Sequence, residues 1–404
     1  MKKWVLGGAA VILLVLGLGY LSLDDDQRDL LANMPTDRNV LFWSDAERKA
    51  AFRAMDALPI LADTSTIAAG GQVYPLPDGE PLELDFDLDA YFKSQRTSAL
   101  VVVHDGEVVL ERYGLGFGPG GKWTSFSVAK SLTSTMVGAA LHDGAIESIE
   151  DPVAKYIGGL EDTPYEEVSI EQLLTMTSGV QWNEDYTDPQ SDVALFNEHR
   201  AEDGLDVTVS YMRKLPREAP AGEKWVYKTG ETNMIGVLVS ESTGKPLAEY
   251  LSEKVWKPFG MEQDATWLLG STGHEIGGCC IQAATRDMAR FGLFVMDGGE
   301  AGGVQVVPDG WFTSATTKQA EIGTPGRGYG YQWWTYDDGT FAAQGIFGQG
   351  IFIDPERKLV IASNSNWPVA TGQGEYGEER LVFYAAVQRA VDQLSDDGAE
   401  PDES

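Results

Sequence analysis

Residues 125–146, SFSVAKSLTSTMVGAALHDGAI, carry both a helical pattern and a candidate catalytic pair. The apolar residues recur near the spacing of an α-helix, at Val128, Leu132, Met136, Ala139 and Ala140. The sequence predicts a buried helix that begins near Ser127 and ends at Asp143-Gly144. Ser127 and Lys130 stand three residues apart, so they share one face of that helix.

An S-x-x-K pair on a helix can carry nucleophilic catalysis. The lysine amine can sit beside the serine hydroxyl, and burial can lower the lysine pKa until the amine accepts a proton. The spacing alone does not decide this, because Ser127 could equally be an ordinary N-cap residue. A second copy, Ser242-Thr-Gly-Lys245, falls where a helix ends at Gly244, so we expect Ser242 to be a capping or surface residue.

The remaining reactive residue types indicate no metal site and no organic cofactor. The histidines are scattered at His104, His142, His199 and His274, which favours neither a zinc site nor a histidine-based triad. The two cysteines, Cys279 and Cys280, are adjacent. Because a bond between neighbours is strained and closes no useful loop, we expect buried thiols and no structural disulfide.

The composition excludes several classes of partner. Against 62 Asp and Glu residues the chain has only 30 Lys and Arg, which gives a net charge of −32. Such a surface repels nucleic acid and anionic lipid headgroups, so no nucleic-acid partner is expected. With 404 residues and 43% hydrophobic content, the chain can bury a large core.

The N-terminus predicts export. Residues 4–23 form an uncharged run of the length that a helix needs to cross a bilayer, with Lys2 and Lys3 before it and Asp24 to Asp26 after it. We interpret residues 1–23 as a transmembrane anchor in the inner membrane, with a signal peptide as the alternative. The catalytic domain is then periplasmic or extracellular, either anchored or, if the segment is cleaved, secreted.

The rest of the chain predicts an α+β fold. Residues 24–96 are interpreted as a tether and wrapping arm, residues 97–394 as the main domain, and residues 395–404 as an acidic disordered tail. The run ALVVVHDGEVVLERYG indicates a hairpin turning at Asp105-Gly106, and GYQWWTYDDGTFAAQGIFGQGIFIDPERKLVIASNS indicates three or four more strands. Residues from about 150 to 308 are mostly helical. We expect a five-stranded, or slightly larger, antiparallel sheet flanked by helices, with a large helical insertion.

Five segments taken in order give the chain a family resemblance: FSVAKS, LLTMTSGV, WVYKTGETNMIGVLVSESTGKPLAEYLSEKVWKPFGM, RDMARFG and GIFGQGIFIDP. Together they resemble the serine β-lactamase-like family, which includes class C β-lactamases, D-alanyl-D-alanine carboxypeptidases, carboxylesterases and 6-aminohexanoate-dimer hydrolases. The resemblance runs from about residue 42 to 390 and implies a β-lactamase-like fold. Within the family, SVAKSL, NEDYTDPQSD, YQWW and GIFGQ look most similar to the 6-aminohexanoate-dimer hydrolase branch.

The resemblance implies roles for three catalytic residues. Ser127 would be the acylated nucleophile, Lys130 its neighbouring base, and Tyr227 the tyrosine of the second motif, which passes a proton to the leaving group. The alternative for Tyr227 is a core aromatic. The K-T-G that follows it, at residues 228–230, matches a family triplet only by coincidence, because it leads into a helix and not into a strand of the final sheet.

The resemblance also implies how the substrate is held. GIFGQ, at residues 345–349, replaces the K-T-G or H-x-G that binds a carboxylate, so penicillin hydrolysis and D,D-carboxypeptidase activity are not expected. The backbone N–H groups of Ser127 and Ile346 would form the oxyanion hole. Tyr186, Trp334 and Phe347 are candidate substrate-binding residues, and Asn197 falls where the amide-hydrolysing branch can carry an acidic residue.

These features favour a serine hydrolase that cleaves a small ester or amide through an acyl-enzyme, with carboxylesterase activity preferred. One alternative is a non-catalytic relative that binds cell-wall peptide or acts as a sensor through a stable acyl-serine. Another is a hydrolase of linear amides or D-amino-acid peptides. The sequence does not indicate an oligomeric state.

Overall fold

In the computed structural model, which describes residues 19–58, 63–372 and 374–397, the strands pair into an eight-stranded sheet, a four-stranded sheet and a short hairpin. Strands β1 to β14 are Thr64–Ile67, Thr97–His104, Glu107–Tyr113, Trp123–Thr124, Ala265–Leu268, Ile281–Ala283, Glu300–Ala301, Val304–Gln305, Ala320–Glu321, Arg327–Tyr329, Trp334–Tyr336, Phe341–Gly345, Gln349–Asp354 and Leu359–Ser365. Helices α1 to α13 are Asp25–Ala32, Asp45–Ala51, Leu88–Ser94, Ala129–His142, Ile170–Leu174, Asp192–Phe196, Val207–Met212, Thr229–Thr243, Leu247–Leu251, Lys257–Phe259, Thr285–Met296, Trp311–Ala315 and Glu375–Asp397.

The eight-stranded sheet is antiparallel, in the order β3-β2-β14-β13-β12-β11-β10-β9. The hairpin predicted at Asp105-Gly106 is confirmed: both residues have positive φ, and they join β2 to β3. The prediction of five strands, or slightly more, is extended to eight because β9 and β10 also belong to the sheet. These two strands have two and three residues, too few to show an alternating pattern in the sequence.

Helices cover both faces of this sheet. Val101 and Val103 point into the core that contains α4 and α11, whereas Leu100 and Val102 pack against α13 on the other face. Burial on both faces explains why β2 reads as a continuous apolar run and not as an alternation. The predicted α+β architecture, with helices flanking an antiparallel sheet, is confirmed.

A second sheet lies beside the first, in the order β1-β5-β6-β4. Strands β5 and β6 fall inside residues 150–308, so the prediction of a mostly helical insertion overlooked them. They have four and three residues; they pair with each other, and their other edges pair with β1 and β4, which are far away in sequence. Strand β4 leads directly into the segment that carries Ser127.

The predicted wrapping arm is tied to the end of β14 by one buried arginine. Arg48 in α2 donates hydrogen bonds to the side chain of Asn366 at 3.1 Å, to the carbonyl of Trp367 at 3.2 Å and to the carbonyl of Trp43 at 2.6 Å. Its guanidinium also lies 4.9 Å from the centre of the Phe347 ring. The arm therefore packs directly behind the turn that follows β12.

The expectation of two free thiols is wrong, since Cys279 and Cys280 are joined by a disulfide. Cys280 adopts a left-handed backbone conformation, with φ of 80°, and this turns the chain sharply between the two residues. The sequence pattern around the pair does not reveal that conformation.

Both predicted terminal segments lie largely outside the described residues. Residues 1–18, most of the predicted membrane segment, are not among them, and no helix in the described part is long and apolar enough to cross a membrane. The anchor and the exported location stay predictions. Helix α13 continues to Asp397, past the predicted end of the domain at residue 394, and residues 398–404 of the predicted tail are outside the described part.

Candidate active site

Ser127 lies in a tight turn at the start of the central buried helix. A 3₁₀ turn, Phe126–Val128, runs directly into α4, and Ser125 and Val128 hold the N-cap positions of the turn and the helix. Ser127 is therefore inside the helical segment, and the N-cap alternative does not apply. Phe126 has a φ of 43°, which is rare for a bulky residue, so tertiary packing must hold the backbone at the serine in place.

The base predicted for this serine is buried beside it. The Lys130 side chain is 1% exposed, and its Nζ donates to the carbonyl of Gly278 at 2.8 Å and lies 3.0 Å from Oγ1 of Thr229. Burial lowers the pKa of Lys130 to about 8, although the nearby Glu184 carboxylate opposes the shift. At pH 7 about one amine in ten is thus neutral and able to accept a proton, far more than for an unperturbed lysine.

Tyr227 completes the group. Its phenol lies near enough to the Ser127 side chain to be affected by it, and the centre of its ring is 5.3 Å from Nζ of Lys130. Burial, and then the charge of Glu184, raise the pKa of Tyr227 well above its ordinary value, while the contact with Ser127 works in the opposite direction. The phenol therefore keeps its proton at neutral pH and can donate it.

The backbone at the end of β12 comes very close to the backbone around Ser127. A Cβ atom placed on Gly345 would lie 2.5 Å from the carbonyl oxygen of Ser125 and 3.1 Å from the backbone nitrogen of Ser127, so only glycine fits there. Ile346 follows Gly345 and begins a 3₁₀ turn. N–H groups in the first turn of a helix have no partner within the helix, which leaves that of Ser127 available.

Phe347 does not lie where the sequence suggested. Its backbone is in the left-handed region, with φ of 61°, and its ring is 1% exposed. The ring packs 5.4 Å from that of Phe52 and 5.5 Å from that of Phe126, behind the catalytic turn. This placement does not support a contact between Phe347 and substrate, because the left-handed turn directs the side chain into the interior.

Trp334 forms an aromatic wall with Tyr227. The two rings stack with centres 5.5 Å apart, and those of Trp225 and Tyr329 lie 6.0 and 5.2 Å from that of Trp334. Trp334 is partly exposed, whereas Tyr329 is buried. An apolar substituent of the substrate can lie against this wall.

The two candidates from the insertion are placed differently. Tyr186 is half-buried near the catalytic group, and its hydroxyl donates to Oε1 of Glu184 at 2.6 Å. Burial, followed by the charge of Glu184, raises the pKa of Tyr186 well above its ordinary value. Asn197 is exposed at the end of α6, where its amide donates to the carbonyl of Val193 at 3.3 Å.

Glu184 is the residue that the sequence analysis missed. Its carboxylate accepts hydrogen bonds from the backbone N–H of Thr229 at 2.9 Å, from the Thr229 hydroxyl, from the Tyr186 hydroxyl and from the indole N–H of Trp182. The only signal was its position in NEDYTD, where it is one of three acidic residues with nothing to distinguish it. In the part of the chain that the structure describes, no cluster of acidic, histidine and cysteine side chains could hold a metal ion.

Comparisons with known proteins show which family the chain resembles in sequence and fold. The family model described as Beta-lactamase matches residues 88–386. The chain is 32% identical over 323 residues to the 6-aminohexanoate-dimer hydrolase of Paenarthrobacter ureafaciens, covering 76% of this chain and 81% of that protein. A structure of a putative 6-aminohexanoate-dimer hydrolase from Bacillus anthracis superposes with a TM-score of 0.77 at 25% identity, covering 90% and 99%. A family VIII carboxylesterase structure has a TM-score of 0.56 at 18% identity, covering 75% and 95%, and so shares the fold.

Proposed function

The chain belongs to the beta-lactamase family, and from this premise we propose that it is a serine hydrolase that cleaves a small ester or amide through an acyl-enzyme on Ser127. The observation that carries the proposal is the arrangement around Ser127. A strained turn carries Ser127, the phenol of Tyr227 lies near its side chain, and Lys130 is buried one helical turn along with a lowered pKa. A serine nucleophile needs such a base and such an acid.

The first half of the reaction forms the acyl-enzyme. Oγ of Ser127 bonds to the carbonyl carbon as its proton passes to neutral Lys130. The N–H groups of Ser127 and Ile346 stabilise the negative charge that develops on the carbonyl oxygen. The carbonyl then re-forms as the bond to the leaving oxygen or nitrogen breaks. The leaving group takes the proton of the Tyr227 hydroxyl, which Lys130 replaces.

The second half releases the product by the same route. A water molecule attacks the acyl carbon and gives its proton to the Lys130–Tyr227 pair. As the ester bond to Ser127 breaks, that proton returns to the serine oxygen. The products are the free acid and the leaving alcohol or amine, and no cofactor enters the balance.

Small carboxylic esters are the proposed substrate class. Residues 345–349, GIFGQ, offer no cationic side chain to hold a substrate carboxylate, and the exposed Asn197 offers no charge to hold a substrate amine. The partly exposed Trp334 offers apolar surface instead. Linear amides are the second candidate, because the 32% identical relative is named a 6-aminohexanoate-dimer hydrolase.

The test is a substrate panel run on the wild type and on Ser127→Ala. We expect the wild type to release p-nitrophenol from p-nitrophenyl acetate and butyrate, and Ser127→Ala to release none above background. Ser242→Ala, which removes the serine of the second S-x-x-K at the end of α8, is the matched control and should keep full activity. Unchanged turnover in Ser127→Ala would refute the proposal.

The same panel separates the alternatives. A cephalosporin reporter should not be hydrolysed, whereas release of a linear amide dimer at a rate near that of the esters would favour the amidase. A sensor would instead show a lasting acyl adduct on Ser127 by intact-protein mass spectrometry, with no product beyond one equivalent.

A further inference from the structure

The Thr229 hydroxyl links Glu184 to the catalytic lysine. Its oxygen lies 3.0 Å from Nζ of Lys130, and its proton is donated to Oε1 of Glu184. A hydroxyl carries a single proton, so a threonine that donates to the carboxylate can only accept from the lysine. The direction of both hydrogen bonds is therefore determined by Glu184.

This direction matters because Lys130 must act in its neutral form. A neutral amine has two N–H groups and one electron pair. The carbonyl of Gly278 and the oxygen of Thr229 accept both N–H groups. The electron pair is then left in the one remaining direction of the nitrogen and stays available to accept a proton.

We propose that Glu184 is a positioning residue, which acts through Thr229 to keep the electron pair of Lys130 available to Ser127. Without the carboxylate, the Thr229 hydroxyl could turn its proton toward the amine and occupy that electron pair. The inference rests on the proposed function, since it assumes that Lys130 is the base.

The surroundings of Glu184 suit this role and not direct binding of a substrate. Thr229 donates to both carboxylate oxygens, Tyr186 donates to Oε1 and Trp182 donates to Oε2. Four donors fill the places that a carboxylate offers, so none remains for an amine of the substrate. The negative charge also favours the protonated form of Lys130 and thereby offsets part of the effect of burial.

Two substitutions at Thr229 separate the hydroxyl from the bulk of the side chain. Thr229→Val keeps the shape of the side chain and loses the hydroxyl. It should lower the maximal kcat/KM for p-nitrophenyl butyrate by about 10- to 100-fold, because a positioned base contributes roughly 10²- to 10⁴-fold and only part of that is lost. Thr229→Ser keeps the hydroxyl and should retain activity within about threefold of the wild type. Equal activity in the two variants would overturn the inference.

A pH profile tests the part played by Glu184. In Glu184→Gln the attraction to protonated Lys130 is lost, so the pKa of Lys130 falls and the acidic limb of the kcat/KM profile should move to lower pH, with a lower maximum. Glu198→Gln removes an equal charge from an exposed position in the same insertion and should leave the profile unchanged. A merely structural role would lower activity without moving the limb, so a limb that stays in place in Glu184→Gln would overturn the inference.

Failure of this inference can be told from failure of the proposed function. If Ser127→Ala remains active, the proposed function fails. If Ser127→Ala is inactive while Thr229→Val matches the wild type, only the role of Glu184 fails. Thermal unfolding of each variant shows whether it is folded. If Thr229→Val does not fold, the pH profile of Glu184→Gln decides whether Glu184 has the proposed role.

Discussion

Lowering the pH from about 8 to about 6 should reduce kcat/KM for p-nitrophenyl butyrate by about 50-fold, because only the neutral form of the Lys130 amine can take the serine proton. With a pKa of about 8, Lys130 is about half neutral at pH 8 and about one part in 100 neutral at pH 6. An unperturbed lysine would be almost fully protonated throughout this range. The position of the limb thus measures the net shift in the pKa of Lys130, in which burial outweighs the opposing charge of Glu184.

The assay uses initial rates at substrate concentrations below KM, across buffers of constant ionic strength. Since p-nitrophenol itself ionises in this range, its release is followed at the wavelength where both of its forms absorb equally. No fall is expected at the alkaline end, because the pKa of Tyr227 is raised well above its ordinary value. A kcat/KM that stays constant from about pH 6 to about pH 8, or that falls as the pH rises, would refute the assignment of Lys130 as the base.

Two further substitutions test the structure around the site. Gly345→Ala should lower kcat at least about 10-fold, because the new Cβ would displace the backbone beside Ser127. The control is Gly158→Ala, since nothing lies within 4 Å of a Cβ at that position. Equal kcat values in the two variants would contradict the close approach of Gly345 to Ser127. Lys228→Met should lower the free energy of unfolding by about 3–5 kcal/mol, because it leaves the buried Glu231 carboxylate with hydrogen bonds from Tyr165 and Ser178 but without a cation. Urea denaturation measures this loss of stability. The double variant Lys228→Met/Glu231→Leu should recover most of it. A double variant no more stable than Lys228→Met would contradict the pairing of Lys228 with Glu231.

The local parts of this site could be predicted from the sequence. Ser127 and Lys130 lie within one turn, and the helical pattern that places them on one face spans a single element. The family resemblance added Tyr227, which the structure places in contact with Ser127. The hairpin at Asp105-Gly106 was equally accessible, because its turn residues and apolar runs are adjacent in the chain.

The parts that were missed depend on contacts between distant residues or on backbone conformation. Glu184 reaches Thr229 across 45 positions of sequence, and no local pattern predicts that approach. Phe347 was expected at the cleft because GIFGQ stands where relatives carry the cation that binds a carboxylate, but its positive φ directs the ring inward. Cys280, which forms a disulfide with Cys279, likewise has a left-handed backbone conformation that no local sequence pattern predicts.

The K-T-G at residues 228–230 shows why a motif must be interpreted together with the element that carries it. Here Lys228 is fully buried, lies 3.5 Å from the carboxylate of Glu231 one turn along α8, and cannot reach a substrate. The Thr229 hydroxyl instead contacts Nζ of Lys130. A side chain on Gly230 would overlap Met212, so glycine lets α8 pack closely at its first turn. At the start of a helix, the K-T-G residues thus hold the preceding residue, Tyr227, in place. On a strand beside the cleft, the same three residues would be placed to bind a carboxylate.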